Sequence, residues 1–150
     1  MLIKVRPLNA SAKLPKRQHP TDAGLDLYAA EPATLAPGEA KLVGTGVAIE
    51  LPPSTCGLIV PRSGWAARQG LTILNSPGIL DQGYRGEVRV LLHNQGDETI
   101  WVDVHQRIAQ LVVVPVVLAT VEPVAKLSES ERGERGFGST GVADDQRQAA

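Results

Sequence analysis

The chain has 150 residues and a formal net charge of −1. That is enough for one domain with a real core, and it excludes a broad basic surface for nucleic acid. A lone cysteine, Cys56, excludes an internal disulfide or a cysteine-cluster zinc site, and His19, His93 and His105 are too scattered for a paired-histidine metal motif.

Met1-Leu2-Ile3-Lys4 opens no long apolar run. The most apolar stretch, Leu111 to Leu118, is too short to span a bilayer and is broken by Pro115. These features predict a soluble, cytoplasmic protein with no membrane or nucleic-acid partner. Two Trp, two Tyr and one Phe are the only aromatics, so the core must come from Val, Leu, Ile and Ala.

Short β-type runs follow one another between glycine and proline breaks. They are Leu2–Arg6, Leu25–Ala29, Ala40–Leu51, Gly57–Val60, Leu71–Leu74, Gly86–His93, Thr99–Val104 and Ile108–Val117. Many short strands with few helical periods predict an all-β barrel or sandwich. One helix is expected at Ser63–Gln69, with Ser63 as N-cap and Gly70 as terminator. Pro115 predicts that the last strand is an edge there, or bends or bulges. The expected organisation is a β-domain over residues 1–127 and a polar, flexible C-terminal arm over residues 128–150.

Five segments carry chemistry-bearing residues. Thr21-Asp22-Ala23-Gly24-Leu25-Asp26 places two carboxylates four apart. Asp26, on the opposite strand face from Leu25 and Leu27, either supports a hydrated cation or catalytic groups or is merely solvated. Pro61-Arg62-Ser63-Gly64 opens the short helix and offers a guanidinium, a hydroxyl and a close-approach glycine. It is either a phosphate cradle or an ordinary helix start. Asn75 through Glu87 reads as one long connection between strands. There Asn75 could read a base edge, Asp81 could deprotonate a water and Tyr84 could lie against a sugar, or all three could be turn and packing residues. Gln110 stands inside the apolar run Ile108–Leu111 and needs a partner, either phosphate or neighbouring backbone. The stretch Arg132 to Gly141 combines glycines, arginines, hydroxyls and Phe137. It suits either a flap over a phosphorylated aromatic ligand or a Gly-rich tail.

In this order the segments resemble the five motifs of the homotrimeric dUTPases. The matches are Asp22-Ala23-Gly24-Leu25-Asp26-Leu27, Pro61-Arg62-Ser63-Gly64, Asn75-Ser76-Pro77-Gly78 through Tyr84-Arg85-Gly86-Glu87, Arg107-Ile108-Ala109-Gln110-Leu111, and Arg132-Gly133 through Gly141. His105-Gln106 stands where members often carry Gly-Asp, and Arg135 stands where the fifth motif is usually richer in glycine.

The resemblance implies a jelly-roll or distorted β-barrel subunit in a homotrimer with active sites between subunits. It implies hydrolysis of dUTP to dUMP and pyrophosphate, which limits uracil in DNA and supplies dUMP. Mg²⁺ would be held by the triphosphate and waters rather than by the protein directly. Asp81 would be the general base and Arg132 an arginine-finger-like brace. Arg62, Ser63, Gly64 and Gln110 would bind phosphates, Asn75 and the backbone at Gly78 uracil, and Tyr84 the deoxyribose. Phe137 would stack on the base beside Gly138 and Ser139, and Asp26 would act through a supporting network. The alternatives are a dCTP deaminase-like enzyme and a catalytically silent nucleotide-binding trimer. A deaminase would carry a glutamate where Leu91 stands.

Overall fold

The computed structural model describes residues 2–138. Its contacts divide the chain into residues 1–118 and 119–150.

The first unit holds all the strands among the described residues. They are β1 (Lys4–Pro7), β2 (Leu25–Tyr28), β3 (Ala33–Leu35), β4 (Ala40–Glu50), β5 (Thr55–Val60), β6 (Leu71–Ile73), β7 (Gly78–Leu80), β8 (Glu87–Asn94), β9 (Ile100–Val102) and β10 (Arg107–Pro115). One helix, α1 (Ser63–Gln69), lies between β5 and β6. The strands form a sheet ordered β1-β4-β8-β6, a second ordered β2-β10-β5-β7, and the pair β3-β9. Every pairing is antiparallel. The architecture is the expected all-β, jelly-roll-like one, built from separate sheets rather than a closed barrel.

Alternation drives the assembly. In β8, Val88, Val90, Leu92 and Asn94 are buried and the residues between them are more open. The inward side chains join Leu27, Val43, Ile59, Ile108 and Leu111 from both large sheets in one aliphatic core. Asn94 is the polar exception. Fully buried, its amide donates to Leu35 O (3.0 Å) and Glu98 O (2.8 Å) and accepts from Gly96 N (2.9 Å). It thereby satisfies backbone groups that no strand reaches. On the opposite flank Lys4 Nζ donates to Glu50 Oε1 (2.8 Å) and fastens β1 to β4. That bond, then the ammonium's charge, holds the Glu50 carboxyl below its ordinary 4.5.

Two expectations change, and those for Gly70 and Pro115 hold. The connection Asn75–Glu87 is not one loop, because β7 lies inside it and pairs with β5. A three-residue run with Gly78 at its head has no local strand signal and becomes a strand only through that pairing. The N-cap of α1 is Arg62, with no side-chain cap bond, so Ser63 is the first helical residue. Gly70 does end the helix, in the left-handed conformation at φ 69°, and its N–H reaches Ala66 O (3.1 Å). Pro115 ends β10 opposite Thr55, beyond the part that pairs with β2, so the interior strand has an open side there.

Among the described residues of the second unit there is no helix or strand. No helix among the described residues is long and apolar enough to cross a membrane.

Candidate active site

Asp26 sits at the centre of one cluster. Its side chain is 1% exposed, so it is not the solvated residue the sequence left open. Three donors meet it: Arg62 Nε on Oδ1 (3.1 Å), Gln110 Nε2 on Oδ1 (3.2 Å) and Arg107 Nη1 on Oδ2 (3.2 Å). Arg107 O in turn accepts from Trp65 Nε1 (3.0 Å), which ties the first turn of α1 to the start of β10. Within the chain, then, the partner of Gln110 is a buried carboxylate rather than backbone.

Register explains this convergence. Gln110 lies directly opposite Asp26 on β2 and Val60 on β5. Arg107, three residues earlier, would face away from Gln110 on a regular strand. A bulge between Arg107 and Ala109 reverses the alternation, so both side chains reach the same carboxylate. The bulge also buries Ile108 and Ala109 in succession. Arg107 was given no role from sequence, because the bulge that turns it toward Asp26 leaves no local signal.

Asp22 is separate from this cluster. Its carboxylate accepts from His19 N (2.9 Å) and its carbonyl from Arg17 Nε (2.7 Å), the turn-forming option.

A second site, the β7 cleft, has a volume of about 300 Å³ and is lined by Asn75, Gly78, Asp81, Tyr84, Glu87, Arg89, Leu91 and neighbouring aliphatic side chains. Asp81 follows β7, and its carbonyl accepts from Tyr84 N (3.0 Å), so the turn sets both side chains at the cleft. Tyr84 is 45% exposed, and its hydroxyl donates to Glu87 O (3.0 Å). The ring folds over Gly86, where an added Cβ would collide with the Tyr84 hydroxyl. Glu87 is anchored in turn by Gly46 N (2.8 Å to Oε1). The position that a deaminase would fill with glutamate is Leu91, in the cleft wall.

Ser63 is exposed and Gly64 half-buried in the first turn of α1, beside the Asp26 cluster through Arg62. In the second unit, Arg132 donates to Arg135 O (3.0 Å) and Gly136 O (3.2 Å), and Phe137 is fully exposed beside Gly138. Ser139 lies outside the described residues. Among the described residues no group of three His, Cys, Asp or Glu side chains is placed to hold a metal ion.

The two sites have different chemistry. One offers guanidinium and amide donors around a buried carboxylate. The other offers an exposed carboxylate, an amide and an aromatic ring. Among the described residues none lines both the β7 cleft and the basic cleft that Arg62 and Arg107 share.

A dUTPase family model matches residues 10–141. A deoxyuridine 5'-triphosphate nucleotidohydrolase of Gloeothece citriformis is 50% identical over 145 residues, covering 97% of this chain and 100% of the relative. One from Clostridioides difficile is 48% identical over 139 residues, 93% and 97%. Among solved structures, a variant dUTPase of Staphylococcus bacteriophage 80alpha with dUpNHpp superposes with a TM-score of 0.88 at 32% identity, covering 94% of this chain and 99% of that one. A variant from phage phi11 of S. aureus, in a study of its structural Mg(II) ion, gives 0.80 at 27% identity, over 86% and 100%. Over nearly its whole length, then, this chain belongs to the dUTPase family.

Proposed function

We propose that the chain hydrolyses dUTP to dUMP and pyrophosphate. The observation that carries this reading is the buried Asp26 carboxylate, which holds Arg62 and Gln110 in place. Phosphoryl transfer gains most of its rate from positioned charge, and donors fixed before substrate arrives need no reorganisation.

In the proposed reaction, Asp81 takes a proton from a water. The water oxygen bonds to the α-phosphorus, the bond from that phosphorus to the α–β bridging oxygen breaks, and pyrophosphate leaves. Arg62, Ser63, Gly64 and Gln110 bind phosphate oxygens. Asn75 and the backbone at Gly78 pair with the uracil edge, where cytosine would present donors and acceptors reversed. Tyr84, held by its hydroxyl on Glu87, lies against the deoxyribose and excludes a 2′-hydroxyl. Arg132 braces the γ-phosphate, and Phe137 stacks on the base beside Gly138 and Ser139.

The donor set suits a Mg²⁺ carried by the nucleotide, since both Asp26 oxygens are taken and such ions keep waters and phosphate oxygens as ligands. Bound there, the ion would withdraw charge from the phosphates. Asp26 acts on the substrate only through Arg62, Arg107 and Gln110.

Trimeric assembly is part of the proposal. The β7 cleft and the Asp26 cluster each hold half of the required chemistry, and a partner subunit would bring one half to the other. Residues 128–150 would act as the arm that closes a site, and the protein would work in the cytoplasm.

The test is pyrophosphate release with dUTP, dCTP, dTTP and UTP. Release from dUTP, with the other three slower by orders of magnitude, is expected. Ammonia release from dCTP, or retention of dUTP without turnover, would replace this reading with a deaminase or a silent binder.

A further inference from the structure

We infer that Lys13 and Lys16 join Arg62 and Arg107 in one cationic site that holds a diphosphate group. The four cations line one cleft of about 450 Å³ beside the Asp26 cluster. Among the described residues no Asp or Glu lines it. The buried Asp26 carboxylate already accepts from both guanidiniums and from Gln110. Each guanidinium has five N–H donors, and one bond apiece to Asp26 leaves most of them unspent.

Both lysines are exposed, but each is tethered at the cleft. Lys13 Nζ stands 4.6 Å from the centroid of the Tyr28 ring, a cation–π contact that keeps the ammonium on the cleft wall. Lys16 exchanges two backbone hydrogen bonds with Asp26 (Lys16 N to Asp26 O, 3.3 Å; Asp26 N to Lys16 O, 2.9 Å), which fixes its Cα beside the cluster. Four cations against one buried carboxylate, in a chain whose net charge is −1, concentrate positive potential at this one concavity. A multiply charged anion relieves that repulsion. Guanidinium forks and ammonium point charges together fit adjoining phosphoryl groups, and Gln18 and Gln106 add neutral donors at the wall.

The proposed activity offers two sources of such a group: the β,γ end of the substrate and the free pyrophosphate product. The source rests on the dUTP reading, whereas the site itself does not. The experiment titrates the full-length protein with sodium pyrophosphate by calorimetry, without nucleotide. It compares wild type with Lys13→Gln/Lys16→Gln and with the charge-keeping Lys13→Arg/Lys16→Arg. The glutamine pair is expected to weaken pyrophosphate binding about tenfold or more and the arginine pair to keep it. If KM for dUTP rises in step, the site takes the substrate's tail. If only pyrophosphate binding and product inhibition weaken, it takes the product. Equal pyrophosphate affinity in all three proteins, with unchanged KM, overturns the site. Lysine acetylation of the wild type, read by mass spectrometry, gives a check that needs no variant: pyrophosphate should protect Lys13 and Lys16, and equal labelling with and without it also overturns the site. A wild type that fails to turn over dUTP would sink the functional reading and leave the titration intact.

Discussion

A carboxylate that is 1% exposed and meets three donors cannot lose them singly without leaving charge or donors unpaired. Its arginine partners are 23% and 41% exposed, so water compensates part of any loss. Asp26→Ala should therefore lower unfolding free energy by roughly 2 kcal/mol, measured by denaturant titration. It should lower kcat for dUTP far more than that loss of stability explains, because Arg62 and Gln110 are freed together. A variant of equal stability loss and full kcat would end the idea that Asp26 positions them. Tyr84 makes a different prediction. With its ring pinned over Gly86 by the hydroxyl bond to Glu87, Tyr84→Ala should cut the dUTP-over-UTP preference about tenfold or more. An unaltered ratio of kcat/KM values would show that another group excludes the ribose. None of the Asp26 contacts could be read from sequence, since its donors stand 36, 81 and 84 positions away. What the sequence did carry was the need: a polar Gln110 in an apolar run has to find a partner.

At the scale of elements, legibility tracked local pattern. Strands β4 and β8 alternate or run apolar over many residues, and α1 ends at a glycine that only a left-handed cap explains. Strands β3 and β7 have three residues each and no period to detect, so only their partners β9 and β5 make them strands. The bulge in β10 is equally invisible locally, yet it decides that Arg107 and Gln110 share a carboxylate. Asn94, at the end of β8, was given no role from sequence. Buried with three hydrogen bonds, it organises the turn into β9. Asn94→Ala should cost about 2–4 kcal/mol in thermal or chemical unfolding while kcat per folded molecule stays near wild type. A cost below about 0.5 kcal/mol would mean that water replaces the amide without penalty.

For the whole molecule, the assembly we propose would bring the two separate sites together. The second unit carries Arg132 and Phe137 on backbone without regular structure, which suits a segment that orders on a ligand. Removing residues 131–150 should leave the oligomer intact by light scattering and reduce kcat/KM for dUTP by at least about tenfold. Loss of the oligomer instead would make the tail a structural strap, and full activity would make it irrelevant to the reaction.

Asp81 carries the central proposal: the turn after β7 places it at the β7 cleft, where we propose that it activates the attacking water. The most direct measurement is the rate of pyrophosphate release from saturating dUTP by Asp81→Asn, with dUTP affinity measured alongside. The account predicts near-native affinity and a rate lower by roughly a hundredfold to ten-thousandfold. A variant that binds dUTP and hydrolyses it at the wild-type rate would contradict it.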